Sequence, residues 1–199
     1  MTSSHTLTDV ERLRRSLPPY PELFAKALLV LVSGLPGTGK SHFARVLSKG
    51  APLLILETDV LRKILVADPT YSPEESARLF RACHSLAEEL LRAGVPVLLD
   101  ATNLVERNRE RLYHIAEMVG AKLIIVQVEA PPEVVLKRLE GRERRVNPED
   151  TSTANWQVYK KMKHAQQHIT RNHFTVDTSK PIEAAVAKIA REINRWLRS

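Results

Sequence analysis

Residues 28–48, LLVLVSGLPGTGKSHFARVLS, place three different patterns in direct succession. An apolar run comes first, a loop with three glycines follows, and a helix-forming stretch ends the segment. The loop at residues 34–41 fits G-x-x-x-x-G-K-[ST], the P-loop pattern, in which backbone amides and the start of a helix surround a chain of phosphates. The apolar run before the motif and the helical stretch after it are the context that this loop requires, and they argue against a glycine-rich turn that matches by chance.

The side chains and glycines of this loop have separate roles in holding a nucleotide. The glycines let backbone amides approach the phosphates, Lys40 would reach the outer phosphates, and the Ser41 hydroxyl would ligate Mg²⁺. We therefore predict that the chain binds ATP or another nucleoside triphosphate together with Mg²⁺. The predicted nucleotide-binding residues in this segment are Gly34, Gly37, Thr38, Gly39, Lys40, Ser41 and His42.

The rest of the chain alternates between apolar strands and helical segments. This alternation is typical of an α/β fold, a P-loop NTPase with a five-stranded parallel sheet and helices on both faces, whose ligands bind at the carboxyl ends of the strands. Residues 1–26 are predicted to be an N-terminal extension with one short surface helix, and residues 27–199 a single P-loop domain. The predicted strands are residues 28–33, 53–57, 95–100, 122–130 and 173–177.

Two of the predicted helices begin with capping signals. Ser72 is predicted to be the N-cap of a helix that starts at Pro73, with Glu75 closing a capping box. Asn103 and Glu106 repeat the same logic for the helix after the third strand.

The segment ETDVLRKIL, after the second predicted strand, carries Asp59 and Arg62 three residues apart on one helical face. One interpretation is an ordinary helix N-cap at Thr58 and Asp59 with an incidental basic residue. The other is a catalytic pair, in which Asp59 accepts the proton of an acceptor hydroxyl and Arg62 holds a phosphate or orients that aspartate. The position of this strand end, which faces the P-loop in a doubly wound sheet, favours the catalytic pair.

The segment VPVLLDATN places Asp100 at the end of an apolar strand, in the form of a Walker B element. Its carboxylate could hold Mg²⁺ directly or through water. The alternative is an aspartate turn that precedes the Asn103 cap. We favour the metal role, so the predicted metal ligands are Ser41 and Asp100.

Arg138, Arg142 and Arg145 are spaced four and three residues apart, so they share one face of a helix. A solvated basic face is the default interpretation of such a run. In a P-loop protein, we favour a small arginine-bearing lid at about residues 138–160 that closes over the transferring phosphate. All three arginines are predicted to contact the nucleotide, and Arg142 is a predicted catalytic residue together with Lys40.

The segment NWQVYKKMKHAQQH carries Trp156, Tyr159 and Met162 at helical spacing beside several lysines. Such aromatic side chains could stack on bases in a nucleic-acid groove. The buried side of an amphipathic helix is the favoured interpretation.

The charge balance and the cysteine count limit the kinds of partner and the cellular compartment to be expected. A net charge of +7 among 199 residues suits nucleotides or nucleic acid, although a basic surface can also serve solubility alone. The single cysteine, Cys83, and the lack of a long apolar run predict a cytoplasmic protein that does not associate with a membrane.

Together, the segments SGLPGTGKS, TDVLR, LLDATN, the arginines at 138–145 and VDTSKP resemble one group of P-loop kinases. The group contains polynucleotide 5′-kinases, zeta-toxin-related proteins and small phosphotransferases, and is often described as kinase-like AAA-type ATPases. The resemblance covers most of residues 28–197 and makes residues 27–199 a single P-loop kinase domain.

The resemblance implies roles for individual residues. Asp59 would be the general base, Arg62 would support the acceptor phosphate or the base, and Lys40 and Ser41 would take the phosphate and magnesium roles. The lid arginines would contact the nucleotide. Polynucleotide kinases tend to carry an aspartate where this chain has Ala101, so the resemblance leaves the acidic partner of Arg62 unassigned. The residues implied to border the purine are Thr178, Lys180 and Pro181.

The predicted function is ATP- and Mg²⁺-dependent transfer of the γ-phosphate to an acceptor hydroxyl. That acceptor could be a polynucleotide 5′-hydroxyl, or a small metabolite, nucleoside or antibiotic. A nucleotide-dependent switch or ATPase is the alternative from another class. Tyr71, Arg78 and Arg81 are predicted to contact the acceptor.

Overall fold

The computed structural model describes residues 7–144 and 154–199, and within them five strands form one parallel sheet. The strands are β1 (Leu28–Ser33), β2 (Leu54–Glu57), β3 (Val97–Asp100), β4 (Lys122–Glu129) and β5 (Phe174–Asp177). They lie side by side in the order β2-β3-β1-β4-β5, and each neighbouring pair is parallel. The predicted five-stranded parallel sheet is therefore confirmed.

The central strand, β1, is buried along its whole length. Its side chains alternate between the two faces of the sheet, so that Leu29 and Leu31 belong to one hydrophobic cluster, and Leu28 and Val30 to the other. Because both faces are covered, the strand has a continuous apolar sequence in place of an alternating one.

Helices cover both faces of the sheet. The cluster around Leu29 and Leu31 also contains side chains of α3 (Thr58–Leu65), α4 (Pro73–Arg92) and α5 (Glu106–Met118). The cluster around Leu28 and Val30 contains those of α2 (Lys40–Ser48) and α8 (Glu183–Arg198). In the ranges 7–144 and 154–199, no helix combines the length and apolar composition needed to span a membrane. The described helices are α1 (Asp9–Arg15), α2 (Lys40–Ser48), α3 (Thr58–Leu65), α4 (Pro73–Arg92), α5 (Glu106–Met118), α6 (Pro132–Arg144), α7 (Trp156–Ala165) and α8 (Glu183–Arg198).

Only one of the two predicted capping interactions is present at the start of α4. The Ser72 hydroxyl accepts a hydrogen bond from the Glu75 amide at 3.2 Å, and Pro73 is the first helical residue. The Glu75 carboxylate does not return to the Ser72 amide. It binds Arg62 and the backbone at Thr70, so the predicted capping box at this helix is wrong. A distant cation and closer amides compete successfully for the carboxylate.

Asn103 is not the cap of α5, which corrects a second prediction. The helix begins at Glu106, and its N-cap position is Val105, whose side chain cannot accept a hydrogen bond. The buried Asn103 side chain instead donates to the Val32 carbonyl at 2.8 Å, and its backbone has a positive φ of 45°. It therefore ties the turn after β3 to the end of β1.

The N-terminal helix α1 packs against α3 and α4. Leu13 is fully buried in the cluster that contains Leu29. The Arg12 guanidinium donates to the carbonyl oxygen of Ile64 at the end of α3 at 2.5 Å. Asp9 accepts two hydrogen bonds of 2.6 Å from Arg78 of α4. The predicted short helix is present, and its apolar side is part of the core.

The burial of Leu13 predicts a large loss of stability on truncation. Leu13→Ala should lower the free energy of unfolding by about 2–5 kcal/mol, because it leaves a cavity between α1 and the core. Urea denaturation would measure this loss. Leu23→Ala, at a side chain that is 59% exposed, is the matched control and should change stability by less than about 0.5 kcal/mol. Equal effects of the two substitutions would contradict the packing of α1 on the core.

Candidate active site

The carboxyl ends of three neighbouring strands bring the predicted site residues to one edge of the sheet. Because β3 lies between β1 and β2, Asp100 pairs with Val32 of β1 and with Glu57 of β2. The P-loop continues from β1, and the half-buried Asp59 lies in the first turn of α3, directly after β2. Neighbouring strands are about 4.8 Å apart, so the P-loop, Asp100 and Asp59 occupy consecutive positions along this edge.

Two glycines of the P-loop have surroundings that exclude a side chain. A Cβ atom on Gly34 would overlap the carbonyl oxygen of Val128 at the end of β4. Gly37 has a φ of +77°, and a Cβ atom there would lie 2.8 Å from Cγ1 of Val135 in α6. The loop is therefore packed too closely between β4 and α6 for any residue but glycine at these positions.

The helix that follows the loop supplies its positive end. Gly39, with a φ of +88°, is the N-cap of α2, and Lys40 is the first helical residue. The start of a helix offers free amides and a positive partial charge to an anion. The Lys40 ammonium group donates to the Leu35 carbonyl at 3.1 Å and so folds back over the loop. Ser41 is half-buried and His42 is exposed in the same turn.

Asp100 is a buried carboxylate that fits a magnesium ligand. Its residue is only 3% exposed, yet Oδ2 has no hydrogen-bond partner among the described residues. A buried carboxylate oxygen in this state is unfavourable unless a cation or a water satisfies it. Mg²⁺ binds through one or two carboxylates or hydroxyls together with water and substrate phosphates, which suits Asp100 and Ser41 at one edge.

The chain around Asp100 offers few further metal ligands. Within residues 7–144 and 154–199, no three His, Cys, Asp or Glu side chains form a metal-binding group. The Thr58 hydroxyl donates to the Asp100 carbonyl at 3.1 Å and ties the start of α3 to the end of β3. A cation at this edge would therefore depend on phosphate oxygens for much of its coordination.

Arg62 is buried at the junction of α3 and α4. The residue is 7% exposed, and its guanidinium forms an ion pair with Glu75 of α4. It also donates to the Ser76 hydroxyl at 3.4 Å and lies 4.6 Å from the centre of the Tyr71 ring. Its Nε has no partner among the described residues. Glu75 is thus the acidic partner of Arg62, whereas Ala101 at the strand end is buried and apolar.

The ion pair sets the charge state of Glu75. The hydrogen bond from Arg62 lowers the pKa of the Glu75 carboxyl from about 4.5 to about 2, against the opposing effect of burial. Hydrogen bonds from Thr70 contribute to this lowering of the pKa. Glu75 is therefore ionised throughout the neutral range and holds Arg62 as a fixed pair.

Arg138 lies against the P-loop. Its guanidinium donates to the Gly37 carbonyl at 3.3 Å and to the Thr178 hydroxyl at 2.9 Å. The Thr178 hydroxyl in turn donates to the Thr38 carbonyl at 2.6 Å. This chain of hydrogen bonds joins α6, the P-loop and the residue after β5, so three of the predicted nucleotide-binding segments meet.

The other predicted lid and purine-border residues are described less fully. Arg142 lies in the last turn of α6, and Arg145 lies outside the described residues. The predicted lid at 138–160 is therefore described only at its two ends. Lys180 forms an ion pair with Asp177 at 3.3 Å, and Pro181 is exposed beside it.

The residues predicted to contact the acceptor separate into two groups. Tyr71 is 42% exposed and lies over Arg62. Arg78 turns away to Asp9 of α1, where its two hydrogen bonds hold the N-terminal helix, and Arg81 is exposed on α4. Arg78 therefore has a structural role, since its partner is Asp9 of α1. No local sequence pattern indicates this contact.

The aromatic residues of α7 belong to a small core. The rings of Trp156 and Tyr159 stack with their centres 4.7 Å apart, and they pack with Leu35, Val135 and Leu139. This arrangement supports the interpretation of the segment as the buried side of an amphipathic helix.

Comparison with known proteins identifies the kind of fold that carries this site. A family model described as an AAA domain matches residues 29–169 of the chain. The solved structure of the Mycobacterium tuberculosis APS kinase CysC in complex with AMPPNP and APS has a TM-score of 0.62 to this chain at 20% identity. That comparison covers 91% of this chain and all of the other, and it shows a shared fold.

Two relatives with assigned names are kinases. The chain is 28% identical over 116 residues to the L-seryl-tRNA(Sec) kinase of Methanococcus maripaludis, which covers 56% of this chain and 44% of that protein. It is 30% identical over 130 residues to the adenylyl-sulfate kinase of Paraburkholderia xenovorans, which covers 61% of this chain and 71% of that protein. The chain thus spans less than half the length of the first of these relatives.

The close packing of the P-loop predicts which glycine can be replaced. Gly34→Ala should lower the free energy of unfolding by about 1–3 kcal/mol, because the new Cβ forces the loop away from β4. Gly141→Ala in α6 is the matched control, since a Cβ there meets no atom within 4 Å among the described residues, and should be neutral or stabilising by up to about 1 kcal/mol. Thermal unfolding of both variants would check this, and a stable Gly34→Ala protein would contradict the packing.

The lowered pKa of Glu75 predicts a pH dependence. Because the unfolded chain takes up the proton first as the pH falls, the stabilisation is complete above about pH 4.5 and is lost toward pH 2. The difference in stability between wild type and Glu75→Gln should therefore shrink over this range. Denaturant titrations at a series of pH values would measure it. Glu74→Gln is the control, because it removes an exposed carboxylate that is not paired with Arg62. A stability difference between wild type and Glu75→Gln that stays constant with pH would contradict the lowered pKa of Glu75.

Proposed function

The chain belongs to this AAA domain family of P-loop kinases, and from that premise we propose that it transfers the γ-phosphate of ATP to an acceptor hydroxyl. The observation that carries the proposal is the order of groups along one sheet edge. The P-loop, the buried carboxylate of Asp100 and the half-buried Asp59 follow three adjacent strands. Phosphoryl transfer needs mainly alignment and charge stabilisation, which a phosphate loop, a metal ligand and a base supply.

The donor side of the reaction lies at the P-loop. The loop amides and the start of α2 would hold the phosphates, and the Lys40 ammonium would turn from the Leu35 carbonyl to the outer phosphates. Ser41 and Asp100 would hold Mg²⁺, which neutralises the charge on the phosphates when it is bound.

The acceptor side lies at α3. Asp59 would accept the proton of the acceptor hydroxyl while that oxygen forms a bond to the γ-phosphorus. The bond between this phosphorus and the oxygen that bridges to the β-phosphate breaks, and ADP leaves with the bonding electrons. Arg62 would orient Asp59 or an acceptor group from its buried position on the same helix.

The lid and the purine border complete the proposed site. Arg138 already contacts the P-loop backbone, and we assign Arg142 and Arg145 to the same nucleotide-facing segment. Closure of such a segment stabilises charge on the transferring phosphoryl group and excludes water. Thr178, Lys180 and Pro181 would border the purine, since Thr178 is bonded to both Arg138 and the P-loop.

The acceptor is the open part of the proposal. One named relative acts on L-seryl-tRNA(Sec) and another on adenylyl sulfate, so the family contains both macromolecular and small acceptors. We keep the polynucleotide 5′-hydroxyl and the small hydroxyl compound as the two acceptor classes. The net charge of +7 favours an anionic acceptor of either kind.

The experiment that separates these cases uses ATP labelled at the γ-phosphate. A panel of 5′-hydroxyl oligonucleotides, nucleosides and small hydroxyl compounds is offered to the full chain with Mg²⁺. Label transferred to one class identifies the acceptor, and steep salt dependence of oligonucleotide binding would support nucleic acid. Release of labelled phosphate to water alone, with every acceptor, would contradict the kinase proposal and indicate a switch or an ATPase.

Replacing the proposed base tests the mechanism directly. Asp59→Asn should lower kcat by about 10²–10⁴, because the amide cannot accept the hydroxyl proton, while the Kd for ATP stays unchanged. Single-turnover transfer and equilibrium nucleotide binding would measure the two quantities. Glu110→Gln, at an exposed carboxylate on α5, is the control and should keep full activity. An Asp59→Asn protein with unchanged kcat would remove Asp59 from this role.

A further inference from the structure

The Glu75 carboxylate joins two parts of the acceptor side to α4. Its Oε1 binds the guanidinium of Arg62 on α3. Its Oε2 accepts hydrogen bonds from the Thr70 amide at 2.7 Å, the Thr70 hydroxyl at 2.9 Å and the Tyr71 amide at 3.2 Å. The side chain therefore fixes both α3 and the connecting loop, residues 66–72, through its two oxygens.

The loop residue Tyr71 is held in an unusual conformation. Its φ is +57°, a region that residues other than glycine rarely adopt. Such a conformation persists only where the surroundings impose it, and it is concentrated at functional sites. Here the amide is bonded to Glu75, and the ring lies 4.6 Å from the Arg62 guanidinium with 42% of the residue exposed. Both constraints on Tyr71 lead back to the Arg62–Glu75 pair.

The same pair also contributes to the orientation of α3. The side chains of Arg62 and Glu75 are 8% and 9% exposed, so their charges attract with little screening by water. Asp59 precedes Arg62 by three residues on the same helix and therefore shares its face. Holding the Arg62 side chain against α4 contributes to the rotation of α3 about its axis, beside the burial of Leu61 and Leu65 in the core. It thereby contributes to the direction of Asp59.

We propose that Glu75 is a positioning residue of the acceptor side: it acts through Arg62 and Tyr71 to fix α3 and residues 66–72 around the acceptor. This inference rests on the phosphotransferase function proposed above. The acidic partner of Arg62 thus lies in the first turn of α4 and not at the strand end, where Ala101 lies. Because Glu75 neutralises Arg62, the pair contributes geometry to acceptor binding more than net charge.

The first test needs no activity. Amide hydrogen exchange of the ligand-free full chain is compared for wild type, Glu75→Gln and Glu74→Gln. In Glu75→Gln, the amides of Thr70 and Tyr71 should exchange about tenfold faster or more, because the acceptor of both hydrogen bonds loses its charge. The Glu74→Gln control should match wild type.

The second test separates positioning from a general loss of structure. With the oligonucleotide or small hydroxyl compound that accepts label, Glu75→Gln should raise the acceptor KM by about tenfold, while the KM for ATP and the Kd for AMPPNP stay within about twofold of wild type. A merely structural defect would weaken both substrates together. Glu74→Gln should leave both constants unchanged.

The outcomes distinguish this inference from the proposed function. If wild type transfers label but Glu75→Gln changes neither the exchange nor the acceptor KM, Glu75 is not a positioning residue and the kinase function stands. If wild type transfers no label, the function fails and the positioning role fails with it, whatever the exchange shows. Should Glu75→Gln not fold, Thr70→Val, which removes one hydroxyl donor, should still raise the exchange of the Tyr71 amide by about threefold.

Discussion

The backbone of β1 is hydrogen-bonded to β3 on one side and to β4 on the other, while its side chains fill the space between two layers of helices. A strand in this position cannot shift without moving its apolar side chains out of both cores. The P-loop continues directly from it, and Gly34 is packed against the end of β4. The rigid placement of the phosphate loop is thus a consequence of the burial of one strand. The positions of the other groups of the proposed site are defined relative to this strand.

Two buried charged groups, Arg62 and Asp100, are stabilised against desolvation in opposite ways. Arg62 is held by Glu75 and the Tyr71 ring, so its charge is balanced within the chain. Asp100 has a carboxylate oxygen without a partner among the described residues, so it is balanced only when a cation or water arrives. The paired Arg62 stabilises the ligand-free fold, whereas the unpartnered carboxylate oxygen of Asp100 favours the binding of a ligand. Charged residues of both kinds have the same appearance in a sequence.

The features that depend on local patterns could be predicted from the sequence. The apolar run and the P-loop motif correctly predict β1 and the helix that follows the loop and ends at Ser48, because periodicity and glycine positions act within a few residues. Local patterns do not predict the Arg62–Glu75 pair, because the two residues are 13 positions apart and Glu75 also fits a capping box. They predict Asn103 as a cap for the same reason, although its partner is Val32. Contacts between distant segments follow from the packing of elements, which short-range patterns do not contain.

The contacts of α1 also bear on how the chain folds during synthesis. Asp9 and Arg14 are bonded to Arg78 and Glu89, partners that follow them by 69 and 75 residues. A helix of 7 residues is not stable alone in water, so it must wait for those partners. At ribosomal rates of 5–20 residues per second, synthesis as far as the later partner takes roughly 4–15 s. The helix α1 is therefore synthesised before the residues on which it packs, and until it docks the apolar side chain of Leu13 is open to chaperones and to other nascent chains.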